Sequence, residues 1–427
     1  MVKKYFADYI FTSPFSSPPF VKNGELIADE ISGKILSVRK NGGRNQFVDK
    51  STPGFKTLII PGIINSHTHT DLTFKPDNKT PKIFSKWVTS LTERRKSLDV
   101  AAKNGLRLKA FKDFVKSGTT LIGDIIGQDS FYNMDDLLLK SKLIPKVKGF
   151  IEIRGIDPDY ALKRISEFKV FYKRYVNAVK ENGGYFSAGI SPHSVYSVSE
   201  KLFKEIIKEN LKIRLKMAVH ASEHSAETQF VSGMGGDIAV NLLPAFKLSK
   251  FSKPLKTFST PISYLNYLKI LNKDVSIIHA NEINDEDIEI IKNSGAGIIH
   301  CPRSNAFFNS KKLPLKKVLE SGISVSIGTD SLYSNRSLSI LDELKYAKKI
   351  HTDVSSKDLF LMATVNGARA LSFPNVTGML ESACSCDFVV FKIDKNIEIN
   401  EGNIYDNILS LKKTDIVDVI INGRVIR

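Results

Sequence analysis

Eight short apolar segments, each suited to a buried strand, recur along the chain with helix-like segments between them. In order they are TLIIPGIINSH, TTLIGDI, KVKGFIEIR, YFSAGISPH, IRLKMAVHAS, VSIIHAN, AGIIHC and ISVSIGTD. Continuous rather than alternating apolar runs suit parallel strands that are covered on both faces. Among the intervening helices, DVAAKNGLRLKAFKDFVKSG has helical apolar spacing and a glycine stop, and SLSILDELKYAKKIH follows the eighth strand. Eight strand–helix units predict an α/β fold, a (β/α)8 TIM-like barrel. An open doubly wound sheet is the competing solution, but it usually carries a glycine-rich phosphate loop after its first strand. Here that position reads HTHTD.

The two ends of the chain read differently. Residues 1–57 hold short alternating segments such as GKILSVRK, and 373–427 hold SCDFVVFKI and IVDVIINGRVI, the latter with an Asn-Gly turn signal. Both ends are expected to combine in a small β-sandwich domain, with 58–372 as the catalytic barrel. The stretch from about Ser225 to Pro261 is rich in Gly, Pro, Phe and Lys and reads as an extended loop or lid.

Composition narrows the function classes. No apolar stretch approaches a membrane span, and MVKKYFADYIFTS reads as a first strand because Asp8 interrupts any signal-like apolar core. Three cysteines, Cys301, Cys384 and Cys386, cannot build a disulfide framework and fit a reducing, cytoplasmic setting. Cys384-Ser-Cys386 lacks a second Cys/His pair at metal-binding spacing and reads as structural. The formal net charge is +17, yet the lysines lie scattered on polar helix faces without a basic tail or interleaved aromatic motif. Neither a nucleic-acid nor a membrane partner is expected. The charge is a solvated surface or a field that favours an anionic substrate.

Six of the eight histidines fall at or just past the C-terminal end of a predicted barrel strand. They are His67 and His69 after the first, His193 after the fourth, His220 after the fifth, His279 after the sixth and His300 after the seventh; Asp330 ends the eighth. That end of a barrel is where active sites form. His67, His69, His220 and Asp330 can give one divalent ion four ligands and leave a position open for water. Zn2+ and Fe2+ both suit nitrogen and oxygen ligands. A two-metal centre usually needs a bridging group such as a carboxylated lysine at the fourth strand, and SPHSVYS has none. One ion per chain is therefore expected. Glu223, three residues after His220, is either a solvated loop residue or the group that carries protons. His279 can hydrogen-bond the attacking hydroxide. His300, in HCPRSN, is left as a rim residue.

PGIINSHTHTDL, SGTTLIGD, VHASE, IIHAN, IIHCPRSN and SIGTDS, in this order and spacing, resemble the motifs of the amidohydrolase superfamily. The resemblance spans nearly the whole chain. It is closest to the branch of adenosine, S-adenosylhomocysteine and methylthioadenosine deaminases, near guanine deaminase and the triazine hydrolases. It implies a hydrolase acting on the C–N bond of a cyclic amidine. The metal ligands would be His67, His69, His220 and Asp330, with Glu223 as proton shuttle, Asp330 as proton acceptor and His279 orienting the hydroxide. His193 matches a position that often contacts substrate. The usual Gly-x-x-Ala-Asp before the late strand is ESACSCD here, within the small domain and away from the chemistry.

Within this branch the chain most resembles the 6-aminodeoxyfutalosine deaminases of menaquinone biosynthesis. That implies a small-molecule adenine nucleoside with a carboxylated aromatic tail. Adenosine, methylthioadenosine and S-adenosylhomocysteine are the alternatives, with guanine or a chlorotriazine further off. Arg154, ending the third strand in FIEIRG, could meet the carboxylate or serve an internal ion pair. Phe84 and Trp87, in FSKWV, could face an aromatic ring or belong to the core. A homodimer is one assembly open to such a chain.

Overall fold

The computed structural model describes residues 2–41, 54–127, 144–180, 185–373 and 376–427. The chain opens with β1 (Val2–Phe11), β2 (Phe20–Asp29), β3 (Lys34–Lys40) and β4 (Phe55–Pro61). The barrel strands follow: β5 (Ile63–Thr68), β6 (Thr119–Ile126), β7 (Lys146–Ile153) and β8 (Phe186–Pro192). Its second half is β9 (Met217–Ala221), β10 (Val275–His279), β11 (Gly297–His300) and β12 (Val325–Ile327). The C-terminal part adds β13 (Phe388–Asp394), β14 (Ile416–Ile421) and β15 (Arg424–Val425).

β5 to β12 form one eight-stranded sheet in sequence order, and every pairing within it is parallel. The sheet closes where its ends meet. The N–H groups of Thr329 and Asp330 donate to the His67 carbonyl at 3.1 and 3.0 Å, and Thr68 bridges Asp330. Closure depends on Gly328, because a Cβ there would lie 2.8 Å from that of His67. All residues of β6 and β7 are buried, as a strand covered by helices outside and side chains inside requires. Ile64, Leu121, Phe150, Ala218, Ile278 and Ile299 belong to the cluster that fills the interior. The barrel with a small β domain from both termini therefore forms as expected.

Two local readings need correction. TLIIPGIINSH is not one strand. β4 lies in the terminal sheet, parallel to β1 and antiparallel to β13, whereas β5 begins the barrel. Gly62 separates them at a point where a Cβ would run into Thr120 Oγ1. An apolar run buried in both sheets carries no signal of the change of sheet. The segment after Ser225 is not an extended loop either. It holds a helix over Ser225–Val231, a wide turn over Ile238–Leu242 and further short turns over Leu243–Ala245 and Ser249–Phe251. Its buried Phe230, Ile238, Leu242 and Leu243 hold it to the barrel, and these short apolar clusters were masked by the surrounding lysines and glycines.

The terminal sheet runs β15-β14-β13-β4-β1-β2-β3 and buries Tyr5, Ile10, Leu26, Ile59, Phe388 and Ile420 in its own cluster. Cys384 and Cys386 are buried in that cluster as free thiols, and Cys301 lies in the barrel interior. The two expected helices span Val100–Lys116, capped by Asp99, and Ile340–Ile350. Among the described residues, no helix is long and apolar enough to cross a membrane.

Candidate metal centre

His67 and His69 leave β5 at the C-terminal mouth, and His220 comes from β9 across the barrel. One ring nitrogen from each lies within 4.8 Å of the others. His67 packs edge-on against both His69 and His220, with ring centroids 5.0 Å apart in each case. Asp330 completes the group: its Oδ1 is 3.4 Å from His67 Nε2 and 3.6 Å from His69 Nε2.

Neighbouring hydrogen bonds aim these groups. His220 Nδ1 donates to the His193 carbonyl at 3.0 Å, which leaves its Nε2 with a free lone pair. Ser304 and Ser334 each donate to Asp330 Oδ2 at 2.7 Å, so Oδ1 is the oxygen left facing the histidines. His67 Nε2 is buried and has no hydrogen-bond partner. An orphaned imidazole nitrogen in a dry site is costly unless a ligand takes it. Burial lowers the pKa of His67, holds His69 at about 4 and pushes His220 well below its ordinary value, helped by the neighbouring histidines. All three are thus neutral, the form that binds metal. Burial alone would raise the Asp330 carboxyl, but its close contact with His67, and then with His69 and His279, outweighs burial and holds it well below the usual carboxylate range. The donor set fits a divalent cation.

Glu223 and His279 stand beside this cluster. Ile278 belongs to the barrel interior, so strict alternation would send His279 outward. Left-handed φ values of 77° at His279 and 54° at Ala280 break that alternation. The ring centroid comes to lie 5.7 Å from that of His220 and 5.9 Å from that of His67. Such strained backbone at a strand end is typical of a functional site. Asn305 Nδ2 donates to Asn281 Oδ1 at 2.7 Å, so Asn305 Oδ1 accepts from His279 Nδ1 at 2.9 Å. His279 Nε2 therefore carries a lone pair, and it too is buried without a partner. Glu223 Oε1 is 3.5 Å from that nitrogen. Burial, and secondarily the charge of Asp330, push the Glu223 carboxyl up to about 8. Glu227, fully buried one helical turn later, accepts the Glu223 N–H at 2.7 Å and fixes the loop.

The remaining expected residues divide. His193 is next to the centre, with its ring 5.2 Å from His220, its Nδ1 2.6 Å from Ser197 Oγ and its Nε2 3.8 Å from Glu152. Arg154 pairs with Glu152, Nε at 2.8 Å and a second nitrogen at 3.1 Å, while 43% of its side chain stays exposed. Burial would raise the Glu152 carboxyl; Arg154 and His193 hold it below the usual range. Phe84 and Trp87 sit in an aromatic cluster. Phe84 stacks on His224 at 5.3 Å, and Trp87 meets Phe308 edge-on at 4.9 Å and donates to the Tyr333 carbonyl. Both are buried. His300 bonds His351 at 3.2 Å behind the site, consistent with a structural place.

Ser304, Ser334, Asn305, Asn281 and Glu152 carry site geometry that the sequence did not single out. Ser304 and Asn305 lie within HCPRSN and Asn281 within IIHAN, so their motifs were visible while their partners were not.

Residues 58–426 match the model of the amidohydrolase family. The chain is 26% identical over 406 residues to a 5-methylthioadenosine/S-adenosylhomocysteine deaminase of Pyrococcus abyssi, covering 92% of this chain and 87% of that one. It is 27% identical over 404 residues to a 5'-deoxyadenosine deaminase of Methanococcus aeolicus, with the same coverage of 92% and 87%. In fold it is similar to the crystal structure of Helicobacter pylori aminofutalosine deaminase, with a TM-score of 0.79, 23% identity and 100% of both chains covered. With the family model matched over its whole barrel and most of the C-terminal segment, the chain belongs to the amidohydrolase family.

Proposed function

We propose that this amidohydrolase is a metal-dependent hydrolytic deaminase of 6-aminopurine nucleosides. The observation that carries the reaction class is a buried carboxyl at Glu223, 3.5 Å from His279 Nε2, beside the cluster of His67, His69, His220 and Asp330. The names of the sequence relatives support the nucleoside. His67, His69, His220 and Asp330 would hold one divalent ion per chain, Zn2+ or Fe2+. Such an ion, when bound, supplies Lewis acidity and lowers the pKa of water towards about 7.

The chain's own groups divide the proton work. Asp330, held ionised, accepts a proton from the attacking water. His279 offers its Nε2 lone pair to orient that water, with the ring fixed by Asn305. Glu223 is protonated at neutral pH and donates to the ring nitrogen. It then takes the proton of the added hydroxyl and passes it to the exocyclic amine, so that the C–N bond breaks, ammonia leaves and the 6-oxopurine remains; the proton held by Asp330 then restores the Glu223 acid. Burial excludes bulk water, which strengthens each of these contacts.

Among such nucleosides our reading favours 6-aminodeoxyfutalosine, whose tail ends in an aromatic carboxylate. The resemblance of the motifs, the likeness in fold to the Helicobacter pylori enzyme and the cationic surface support it. The relatives named for methylthioadenosine, S-adenosylhomocysteine and 5'-deoxyadenosine support the alternative of a shorter or zwitterionic tail. Ammonia release from a panel of these nucleosides, with metal content measured on the same sample, tests the proposal. Turnover with about one equivalent of Zn2+ or Fe2+ is expected. Full activity after complete metal removal would contradict it.

A further inference from the structure

Opposite the metal centre, the N-terminal end of the barrel gathers Lys146, Lys148 and Lys216. Side chains alternate along a strand, and Phe150 of β7 belongs to the barrel interior, so Lys148 and Lys146 share its inward face. Ala218 of β9 is interior too, which turns Lys216, just before that strand, inward as well. Ser187 of β8 stands in register with Lys148 and faces the same way. Lys148 is 8% exposed and Lys216 9%. Lysine at that depth is normally paired with a carboxylate.

Lys146 has its counter-charge, since its Nζ pairs with Asp387 at 2.7 Å. The other two do not. Lys216 Nζ donates to the Lys273 carbonyl at 3.1 Å, which uses one of an ammonium's three donors. Lys148 Nζ meets the Phe373 ring, 5.9 Å from its centroid. Among the described residues, no carboxylate lies within ion-pair distance of Lys148 or Lys216, and Lys148 Nζ has no hydrogen-bond acceptor. Ser187 Oγ is buried without a partner. Phe373 and Lys146 also line a cavity of ≈ 520 Å³ between the barrel base and the terminal sheet. Burial, then the charge of Lys216, lowers Lys148 to about 8; burial, partly opposed by Asp274, lowers Lys216 to about 8. Both therefore keep their charge at pH 7. Two like charges held at this depth repel, and ammonium groups with unused donors are costly to bury.

We propose that Lys148 and Lys216 form a binding site for a small tetrahedral oxyanion of the phosphate or sulfate type, with the Ser187 hydroxyl as a further donor. The anion offers acceptor oxygens to both ammonium groups and cancels their repulsion. It ties β7, β8 and the start of β9 together at the base of the barrel. Lys216 lies four residues before His220 and Lys148 four before Glu152, about 13 Å along an extended strand. The site is therefore separate from the metal centre and independent of the deaminase reading. Without the anion the lysine pair is a burden on the fold, which Lys148→Met removes.

The test is calorimetric titration of the metal-loaded full chain at pH 7 with sodium sulfate and, separately, sodium phosphate, at an ionic strength fixed with sodium chloride. Wild type should show one saturable anion per chain, and Lys148→Met and Lys216→Met should each weaken it at least tenfold. Phosphate held at the metal centre, or either anion held by surface lysines, persists in both variants, so the lysine-dependent site is read by difference. Denaturant unfolding gives a second reading. The bound anion should raise the wild-type midpoint above that in chloride of equal ionic strength, and should leave Lys148→Met nearly unmoved. Lys148→Gln takes the place of Lys148→Met should the latter fail to fold. Binding of either anion that depends on both lysines upholds the proposal, and the ratio of the two affinities identifies the preferred ion. Absent saturable binding, binding unchanged in the variants, or an equal rise in midpoint with and without Lys148 overturns it.

Discussion

His279 Nε2 lies 3.5 Å from Glu223 Oε1, and the two are also joined through the backbone by Asn305 and Asn281, the latter donating to the Glu223 carbonyl at 3.2 Å. The polar link places a proton donor and a lone-pair acceptor beside the histidine cluster and fixes both. The His279 ring cannot turn without breaking its buried hydrogen bond to Asn305, and the Glu223 backbone is held by Asn281 and Glu227.

Glu223→Gln follows from this relationship. The amide keeps the size and the neutrality of the protonated acid but cannot cycle a proton. Fold and metal content should be unchanged while kcat falls by about 10²–10⁴. Circular dichroism, elemental analysis and steady-state kinetics on one preparation check this. A kcat within threefold of wild type would remove Glu223 from the mechanism.

Arg154→Met separates an internal ion pair from a substrate contact. Both Arg154 contacts go to Glu152, which is buried and 3.8 Å from His193 Nε2. Removing the guanidinium strands that carboxylate, at a cost of about 1–3 kcal/mol. kcat/KM should fall by similar factors on 5′-deoxyadenosine and on the carboxylated nucleoside. A loss confined to the carboxylated substrate would show instead that Arg154 meets its anion.

Much of this was legible because a barrel writes its plan in one dimension. A residue at a strand's C-terminal end must face the mouth, so the candidate residues His67, His220, His279 and Asp330 can be assigned to one rim without coordinates. The holders of those residues were not legible. Ser334 reaches Asp330 from a turn, and Glu152 meets Arg154 two residues away on the same strand edge. Serine and glutamate at such positions are ordinary surface residues until the fold buries them. Gly62 was hidden for a different reason, since the strand before it and the strand after it are equally buried.

At the opposite end of the barrel, Lys148 and Lys216 make stability depend on pH. Burial lowers both to about 8, and Lys216 adds its charge to the shift of Lys148. The folded pKa lies below the unfolded value near 10.5, so the folded state binds fewer protons between pH 8 and 10.5. The penalty of burying the charge is full below pH 8 and fades as pH rises to 10.5. Lys148→Met should therefore be more stable than wild type at pH 7, by on the order of 1–3 kcal/mol. That advantage should shrink towards pH 10.5. Denaturant unfolding at both pH values checks it, and a difference that does not vary with pH would refute it.

The most direct test of the account is single-turnover deamination in ¹⁸O-labelled water, using metal-loaded enzyme and each nucleoside of the panel. Water adds at the purine carbon and ammonia departs. The 6-oxopurine product should carry one labelled oxygen, with one ammonia released per nucleoside, and Glu223→Gln should slow both together by about 10²–10⁴. If no nucleoside of the panel gives a labelled 6-oxopurine while the metal centre is fully loaded, the assignment as a 6-aminopurine nucleoside deaminase is wrong.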